Sequence, residues 1–329
     1  MNDNGPQLDI SSMIASRFVL PTYLCGIGGK AKQVLPRVDG LYQQHYNGAR
    51  PEVLPLTIFD FDEAHGEATV DGVTYTTESY LKVLPKKPLL DVARKIRRNN
   101  PRVLAACAKF QPYVHFPGVR AVDAPGLNLF VQGGNLAWRL VHESDVLPEL
   151  TAKLRYLNPA PNTLERLTRE GIAVANRSII WVIAGGGSTT GPTGLIPILC
   201  ELKRHAPANT SVFAVVFAPR SYREKTSQRQ VKGKAIYRAT MTQLLALFDG
   251  EQGFDQPYGV DGYRIQLDDP PFDQLFLIDG SFAGGRRDFE SDELADLVAL
   301  LLFKCTVGPL GEKLLSIIGD LNRNPEDVR

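Results

Sequence analysis

A glycine-rich segment, AGGGSTTGPTG at residues 184–194, has the residue types and spacing of a phosphate-binding loop. It follows the apolar run SIIWVI at residues 178–183 and precedes an amphipathic stretch, which together predict a buried strand, a turn and a helix. Consecutive glycines let backbone N–H groups approach an anion, and a following helix adds the positive end of its dipole. The segment is neither a Walker A loop nor G-x-G-x-x-G. A plain structural turn is the alternative for such a loop on its own.

Two further glycine turns are predicted at the ends of strands. GIGG at residues 26–29 follows a strand at residues 17–24 and precedes a helix from Lys30 to about His45. QGGN at residues 132–135 is predicted to open another helix. Ligands of open parallel sheets bind beyond the carboxyl ends of the strands, so all three turns are expected at one edge of the sheet. A polyphosphate nucleotide accounts for the three turns together.

The remaining pattern alternates strands with helices. Strands are predicted at residues 53–61, 178–183, 211–218 and 274–278, and a hairpin at residues 68–76 around Asp71-Gly72. Helices are predicted at residues 88–99, 164–176, 195–205, 236–248 and from 291, with a break near Gly308-Pro309. The predicted fold class is α/β, an open and mostly parallel sheet with helices on both faces. Its predicted parts are a flexible tail (1–16), a nucleotide-binding domain (17–290) and a long core helix with a terminal loop (291–329).

Composition narrows the classes of partner. The chain has 329 residues, 43% of them hydrophobic, and a formal net charge of +1, which favours neither nucleic acid nor a membrane surface. No apolar run is long enough to span a bilayer, and the polar N-terminus does not resemble a signal peptide. Scattered cysteines predict reduced, buried thiols in a cytoplasmic protein. The basic residues between 82 and 102 are interpreted as a solvated surface.

Five segments resemble the tubulin/FtsZ superfamily, in the same order and spacing over residues 18–329. GGGSTTG at 185–191 resembles the family signature GGGTGSG, and CGIGG at 25–29 resembles its first nucleotide loop. QGGN at 132–135 shares the GGN of FtsZ, and FDQLFLIDGS at 272–281 sits where tubulins have a strand ending Val-Asp-Asn. DLNRNPEDVR at 320–329 is similar to the loop after the family's central helix. The chain looks like a divergent prokaryotic tubulin-like protein.

The resemblance implies a Rossmann-like GTPase domain that binds GTP or GDP with Mg²⁺ and self-associates head to tail. It places the nucleotide on Gly26, Gly28, Gly29, Gly133, Gly134, Asn135, Gly185, Gly186, Gly187, Ser188, Thr189, Thr190 and Gly191. Asp60 or Asp62 would lie near the Mg²⁺ ion. Asp279 would read guanine, because Gly280 stands where the family has an asparagine.

The resemblance also implies a hydrolytic loop that acts on the neighbouring subunit's nucleotide. Its residues would be Asn324, Glu326 and Asp327, and Asn324 stands where the family has a catalytic aspartate, which implies slow hydrolysis. The family's second domain is expected to be absent from this chain. Two alternatives stay open: a guanine-nucleotide switch or adaptor that does not polymerise, and a Rossmann-type dinucleotide oxidoreductase. The oxidoreductase is disfavoured because the glycines at residue 26 do not form G-x-G-x-x-G.

Overall fold

The computed structural model describes residues 17–62, 66–77, 79–83, 131–222, 227–249, 253–258, 263–281 and 289–323. The described strands are β1 (Arg17–Val19), β2 (Thr22–Ile27), β3 (Leu56–Asp60), β4 (Glu67–Val70), β5 (Val73–Thr76), β6 (Tyr80–Lys82), β7 (Ile172–Val174), β8 (Ser178–Gly185), β9 (Thr210–Phe217), β10 (Phe254–Pro257), β11 (Arg264–Leu267) and β12 (Gln274–Ile278). The described α-helices are α1 (Gly29–His45), α2 (Val131–Val141), α3 (Leu147–Leu154), α4 (Pro161–Arg169), α5 (Thr190–His205), α6 (Ser227–Phe248), α7 (Ser291–Val307) and α8 (Pro309–Arg323).

A six-stranded parallel sheet in the order β12-β9-β8-β2-β3-β6 forms the centre of the molecule. Strands β2, β3 and β8 are buried along their whole length, as their apolar sequences predict for a sheet covered on both sides. Alternate residues of β8 enter two separate cores. Ile180 and Val182 pack with α2, α3 and α5, whereas Ile179 and Trp181 pack with α1 and α7. The predicted fold class is confirmed.

The hairpin predicted around Asp71-Gly72 is confirmed. Strands β4 and β5 pair in antiparallel register from Glu67↔Thr76 to Val70↔Val73. Asp71 has φ 49° and Gly72 has φ 81°, so both central residues of the turn are left-handed. This is the conformation that two-residue hairpin turns require.

The helix predicted over residues 164–176 is wrong in its second half. Helix α4 ends at Arg169, and Gly171 adopts φ 75°, a left-handed conformation that ends a helix. Residues Ile172–Val174 then form β7, which pairs in parallel with β1. Pairing with a strand about 155 positions earlier is a tertiary contact that a local pattern does not contain.

The chain end contains two helices rather than one long helix. Gly308 is extended and Pro309 lacks the N–H that an uninterrupted helix would use, so α7 and α8 separate at the predicted break. Among the described residues no single helix has the length and apolar character to cross a membrane; only Ser291–Val307 and Pro309–Ile317 meet both conditions jointly, and they meet at an 87° bend.

Three cysteines, Cys25, Cys200 and Cys305, are free and buried, as predicted, and Cys107 lies outside the described residues. Burial raises the pKa of all three thiols, that of Cys305 to about 11. The predicted tail at 1–16, the helix at 88–99 and most of the basic segment also lie outside the described residues.

Candidate functional site

The sheet has a topological switch point between β2 and β8. From β2 the chain passes through α1 to β3 on one side, and from β8 it passes through α5 to β9 on the other. Because the two crossovers leave in opposite directions, a crevice opens beyond the carboxyl ends of these neighbouring strands. Both glycine turns, at 26–29 and 185–191, follow these two strands. The topology therefore brings together the two turns that the sequence singled out.

The two turns are in contact. Gly28 has φ 78°, and a Cβ atom placed on it would lie 3.1 Å from Thr190 Cβ. The Gly28 N–H donates to Phe59 O at 2.8 Å, which fixes the turn to β3. Helix α1 begins at Gly29 and α5 begins at Thr190, so two helix N-termini open on one crevice. The first turn of a helix has N–H groups without intrahelical partners, and they favour anions.

The glycines of the first turn have three different roles. A Cβ on Gly26 would lie 2.6 Å from Ala31 Cβ, so Gly26 allows α1 to pack closely on β2. Gly28 supplies the left-handed backbone of the turn. Gly29 is exposed, and no heavy atom lies within 4 Å of a Cβ built on it. Of the three, Gly29 is the exposed residue at which a side chain would meet open space.

The second turn is closely packed, and its glycines occupy positions where a side chain would not fit. Gly185 is the last residue of β8, and a Cβ on Gly191 would lie 2.3 Å from the carbonyl oxygen of Gly185. The Gly186 N–H donates to Phe217 O at 2.9 Å, and a Cβ on Gly186 would lie 2.5 Å from Tyr237 Cδ2. A Cβ on Gly233 of α6 would lie 2.9 Å from Gly187 O. Helix α6 therefore packs directly against the turn.

Three hydroxyl groups follow these glycines. Ser188 Oγ donates to Gly185 O at 3.2 Å, and Thr190 Oγ1 donates to Asp60 Oδ1 at 2.9 Å. Thr189 is only 2% exposed, and its Oγ1 atom has no hydrogen-bond partner in the described part of the chain. A buried hydroxyl without a partner has a free-energy cost that an external acceptor, such as a phosphate oxygen, would remove.

The turn predicted at residues 132–135 is wrong, because Gly133, Gly134 and Asn135 lie inside α2. A Cβ on Gly134 would lie 2.8 Å from Thr193 Oγ1 and 2.9 Å from Thr189 Cγ2. Gly134 thus lets α2 approach α5 where α5 begins, and Asn135 is buried next to it at 8% exposure. Residues 133–135 still lie next to the second turn, but as one face of helix α2.

Asp60 lies at the end of β3 and has both carboxylate oxygens occupied. Lys32 Nζ forms an ion pair with Oδ2 at 2.7 Å, and Oδ1 accepts the Phe61 N–H at 2.7 Å and the Thr190 hydroxyl. Asp62 is half-buried two residues further on. No group of three or more metal-ligating side chains occurs among the residues described. Because the Lys32 ammonium group already neutralises Asp60, this carboxylate does not fit a resident divalent cation, and the placement of Asp62 beside Mg²⁺ stays a prediction.

Sequence reasoning missed two lysines in the first turns of α1. Lys30 is 5% exposed and donates from Nζ to Ser291 Oγ at 2.7 Å, and Lys32 pairs with Asp60. The first turn of α1 has no acidic residue. Cations at the positive end of a helix are unfavourable, and such local conflicts are expected at functional sites. The sequence GGKAK carried this information directly after the glycine turn.

Asp279 follows β12 at the same edge of the sheet. Its side chain is 53% exposed, accepts from Ser281 Oγ at 2.7 Å and lies 3.9 Å from Arg220 Nη1. Burial raises the pKa of the Tyr237 phenol, and the Asp279 carboxylate contributes in the same direction. Since Tyr237 covers Gly186, Asp279 lies on the α6 side of the second turn. Asn324, Glu326 and Asp327 lie outside the described residues.

No protein-family model and no curated protein sequence matches this chain. Among solved structures, a GDP-form protofilament of Bacillus thuringiensis serovar israelensis TubZ is similar at 12% identity and a TM-score of 0.42, over 94% of this chain and 61% of that chain. CetZ from Methanosaeta thermophila is similar at 12% identity and a TM-score of 0.41, over 86% of this chain and 53% of that chain. Clostridium botulinum phage c-st TubZ is similar at 12% identity and a TM-score of 0.38, over 88% of this chain and 63% of that chain.

This chain spans between 53% and 63% of the length of these three chains. The site described above rests on the contacts of this chain alone.

Proposed function

We propose that the crevice between the two glycine turns binds the phosphates of a guanine nucleotide, GTP or GDP. The observation that supports it best is the close approach of Gly28 to Thr190 at the switch point, next to the exposed Gly29. Two helix N-termini, two lysines and an unpartnered buried hydroxyl, that of Thr189, meet at this place. A chain of phosphates is the ligand class that suits the two helix N-termini, the Thr189 hydroxyl and the positive charge of the lysines.

The division of roles follows from the contacts. Gly29 and Thr190 are the first residues of the two helices, and their backbone N–H groups would donate hydrogen bonds to phosphate oxygens. Thr189 Oγ1 would donate the hydrogen bond that it lacks within the described chain. Asn135, Gly133 and Gly134 would close the site from α2. Gly26, Gly185, Gly186, Gly187 and Gly191 would shape it by admitting close contacts with neighbouring backbone and side-chain atoms.

Guanine selectivity is proposed to depend on Asp279. A carboxylate accepts hydrogen bonds from guanine N1–H and its N2 amine, whereas it repels the acceptor N1 of adenine. We expect the wild-type chain to bind GTP at least about tenfold more tightly than ATP or NAD, and Asp279→Ala to reduce this preference to about twofold or less. Competition of ATP and NAD against labelled GTP measures both values.

The matched control for this variant is Asp255→Ala. Asp255 is also about half-exposed and also faces an arginine, Arg264, on the β10–β11 hairpin. It should leave the GTP preference unchanged. Equal affinity of the wild-type chain for GTP and ATP would remove the guanine assignment and leave a general nucleotide site, and a preference for NAD would support the oxidoreductase.

Hydrolysis is proposed to be slow and to need two copies of the chain. The resemblance assigns it to Asn324, Glu326 and Asp327 of a neighbouring subunit, where Asn324 lacks the carboxylate that would polarise water. We expect phosphate release per chain to rise with protein concentration, because the neighbour's loop must complete the site. Turnover that is fast at every concentration would contradict this mechanism. A concentration-independent, near-zero rate with GTP bound would favour the switch that does not polymerise.

A further inference from the structure

We infer that this crevice binds nucleotide phosphates without a divalent cation, because the ammonium group of Lys32 already holds the carboxylate that would bind one. The inference rests on the proposed nucleotide binding and adds to it the ionic state of the ligand. It replaces the expectation that Asp60 lies beside Mg²⁺.

The Lys32–Asp60 ion pair is largely buried. The Asp60 side chain is 3% exposed and the Lys32 side chain 13% exposed, and Nζ lies 2.7 Å from Oδ2. Lys32 Nζ also lies 5.3 Å from the centre of the Tyr80 ring on β6. A cation over an aromatic face is further stabilised there. Asp60 Oδ2 is therefore occupied by a well-fixed positive charge.

The second oxygen of Asp60 is committed as well. Oδ1 accepts the Phe61 N–H at 2.7 Å and the Thr190 hydroxyl at 2.9 Å. Mg²⁺ requires near-ideal octahedral geometry and a hard oxygen ligand with negative charge. To reach Asp60, Mg²⁺ would have to displace the Lys32 ammonium group and break the hydrogen bond from the Thr190 hydroxyl. It would then stay close to the positive charge of Lys32. None of these changes is favourable in a buried site.

Lys30 strengthens the same conclusion. It lies two residues before Lys32, is 5% exposed, donates to Ser291 Oγ at 2.7 Å and has its Nζ atom 5.7 Å from the Phe217 ring at the end of β9. A second ammonium group at the first turn of α1 adds positive charge at the place where phosphates would meet the helix. Lysine acts as a point charge toward phosphates and can neutralise them as a metal ion does.

The test is the affinity for GTP measured twice, with excess Mg²⁺ and with EDTA in its place. For the wild-type chain we expect the two dissociation constants to agree within about threefold. In Lys32→Met the Asp60 carboxylate loses its internal cation, so GTP binding should weaken in EDTA and recover by about tenfold or more with Mg²⁺. Methionine keeps the length of the side chain and is a good helix former.

Lys203→Met is the matched control. Lys203 forms a similar ion pair with Asp273, at 2.6 Å, near the other end of α5. It should leave both affinities unchanged. Binding of GTP by the wild-type chain only when Mg²⁺ is present would overturn the inference and leave the nucleotide site intact, whereas no binding in either condition would overturn the proposed function itself. The wild-type comparison decides the matter even where Lys32→Met fails to fold.

Discussion

Replacing Gly29 by glutamine is expected to weaken GTP binding by at least about a hundredfold, or ~2.7 kcal/mol, while the fold stays as stable as before. Gly29 is the first residue of α1, and nothing lies within 4 Å of a Cβ built on it, so the new side chain meets no protein atom near its origin. Glycine is also the poorer helix former, by up to about 1 kcal/mol. The glutamine side chain is expected to weaken GTP binding because it occupies the space that the phosphates need. Calorimetric titration with GTP and thermal unfolding without nucleotide measure the two effects separately.

A matched glycine at the opposite edge of the sheet serves as the control. Gly319 of α8 is also helical and also has no heavy atom within 4 Å of a Cβ. Helix α8 packs near Leu20, which precedes β2, far from the carboxyl ends of the strands. Gly319→Gln should therefore leave GTP affinity unchanged and raise the free energy of unfolding by up to about 1 kcal/mol, the helix-propensity gain alone. If Gly29→Gln binds GTP as the wild-type chain does, phosphates do not lie above Gly29.

Replacing Gly194 by alanine is expected to lower the free energy of unfolding by about 2 kcal/mol. Helix propensity alone predicts the opposite sign, a gain of about 1 kcal/mol. A Cβ on Gly194 would lie 2.2 Å from Trp138 Cζ2 and 2.4 Å from Trp138 Cε2. The indole ring is fully buried and lies 6.0 Å from the Phe59 ring, so it cannot move aside without disturbing β3. Denaturant unfolding of the variant and the wild type measures the difference.

Two companion variants identify the cause of that loss. Gly319→Ala, at a helical glycine without close neighbours, should show the propensity gain alone. Trp138→Phe removes the ring atoms nearest Gly194, so the double variant should lose less stability than the sum of the single variants. If Gly194→Ala stabilises the chain as Gly319→Ala does, the close packing of α2 on α5 is not present in solution.

The sheet and the two glycine turns could be predicted from the sequence because their determinants are local. The runs SIIWVI and SVFAVVFA are apolar and β-branched, and Gly28 is a residue that readily adopts the left-handed turn at φ 78°. Their convergence followed from a general property of parallel sheets rather than from the residues themselves.

The remaining features depend on contacts between distant segments. Gly134 was interpreted as part of a turn because glycines break local helix patterns, whereas its role is to let α2 approach Thr193 of α5. Lys32 and Asp60 are 28 positions apart and meet only because β3 lies beside β2, so a carboxylate that suited a metal ion is paired with lysine. The helix predicted through Ile172 failed for the same reason, since β1 supplies its partner.

Phosphate binding in the crevice is tested by a titration of GTP into the wild-type chain, repeated with inorganic tripolyphosphate present as a competitor. We expect one GTP site per chain and a weaker apparent affinity for GTP as tripolyphosphate occupies the phosphate crevice. Gly29→Gln should bind neither ligand. The absence of GTP binding, or GTP binding that neither tripolyphosphate nor Gly29→Gln affects, would contradict phosphate binding in the crevice.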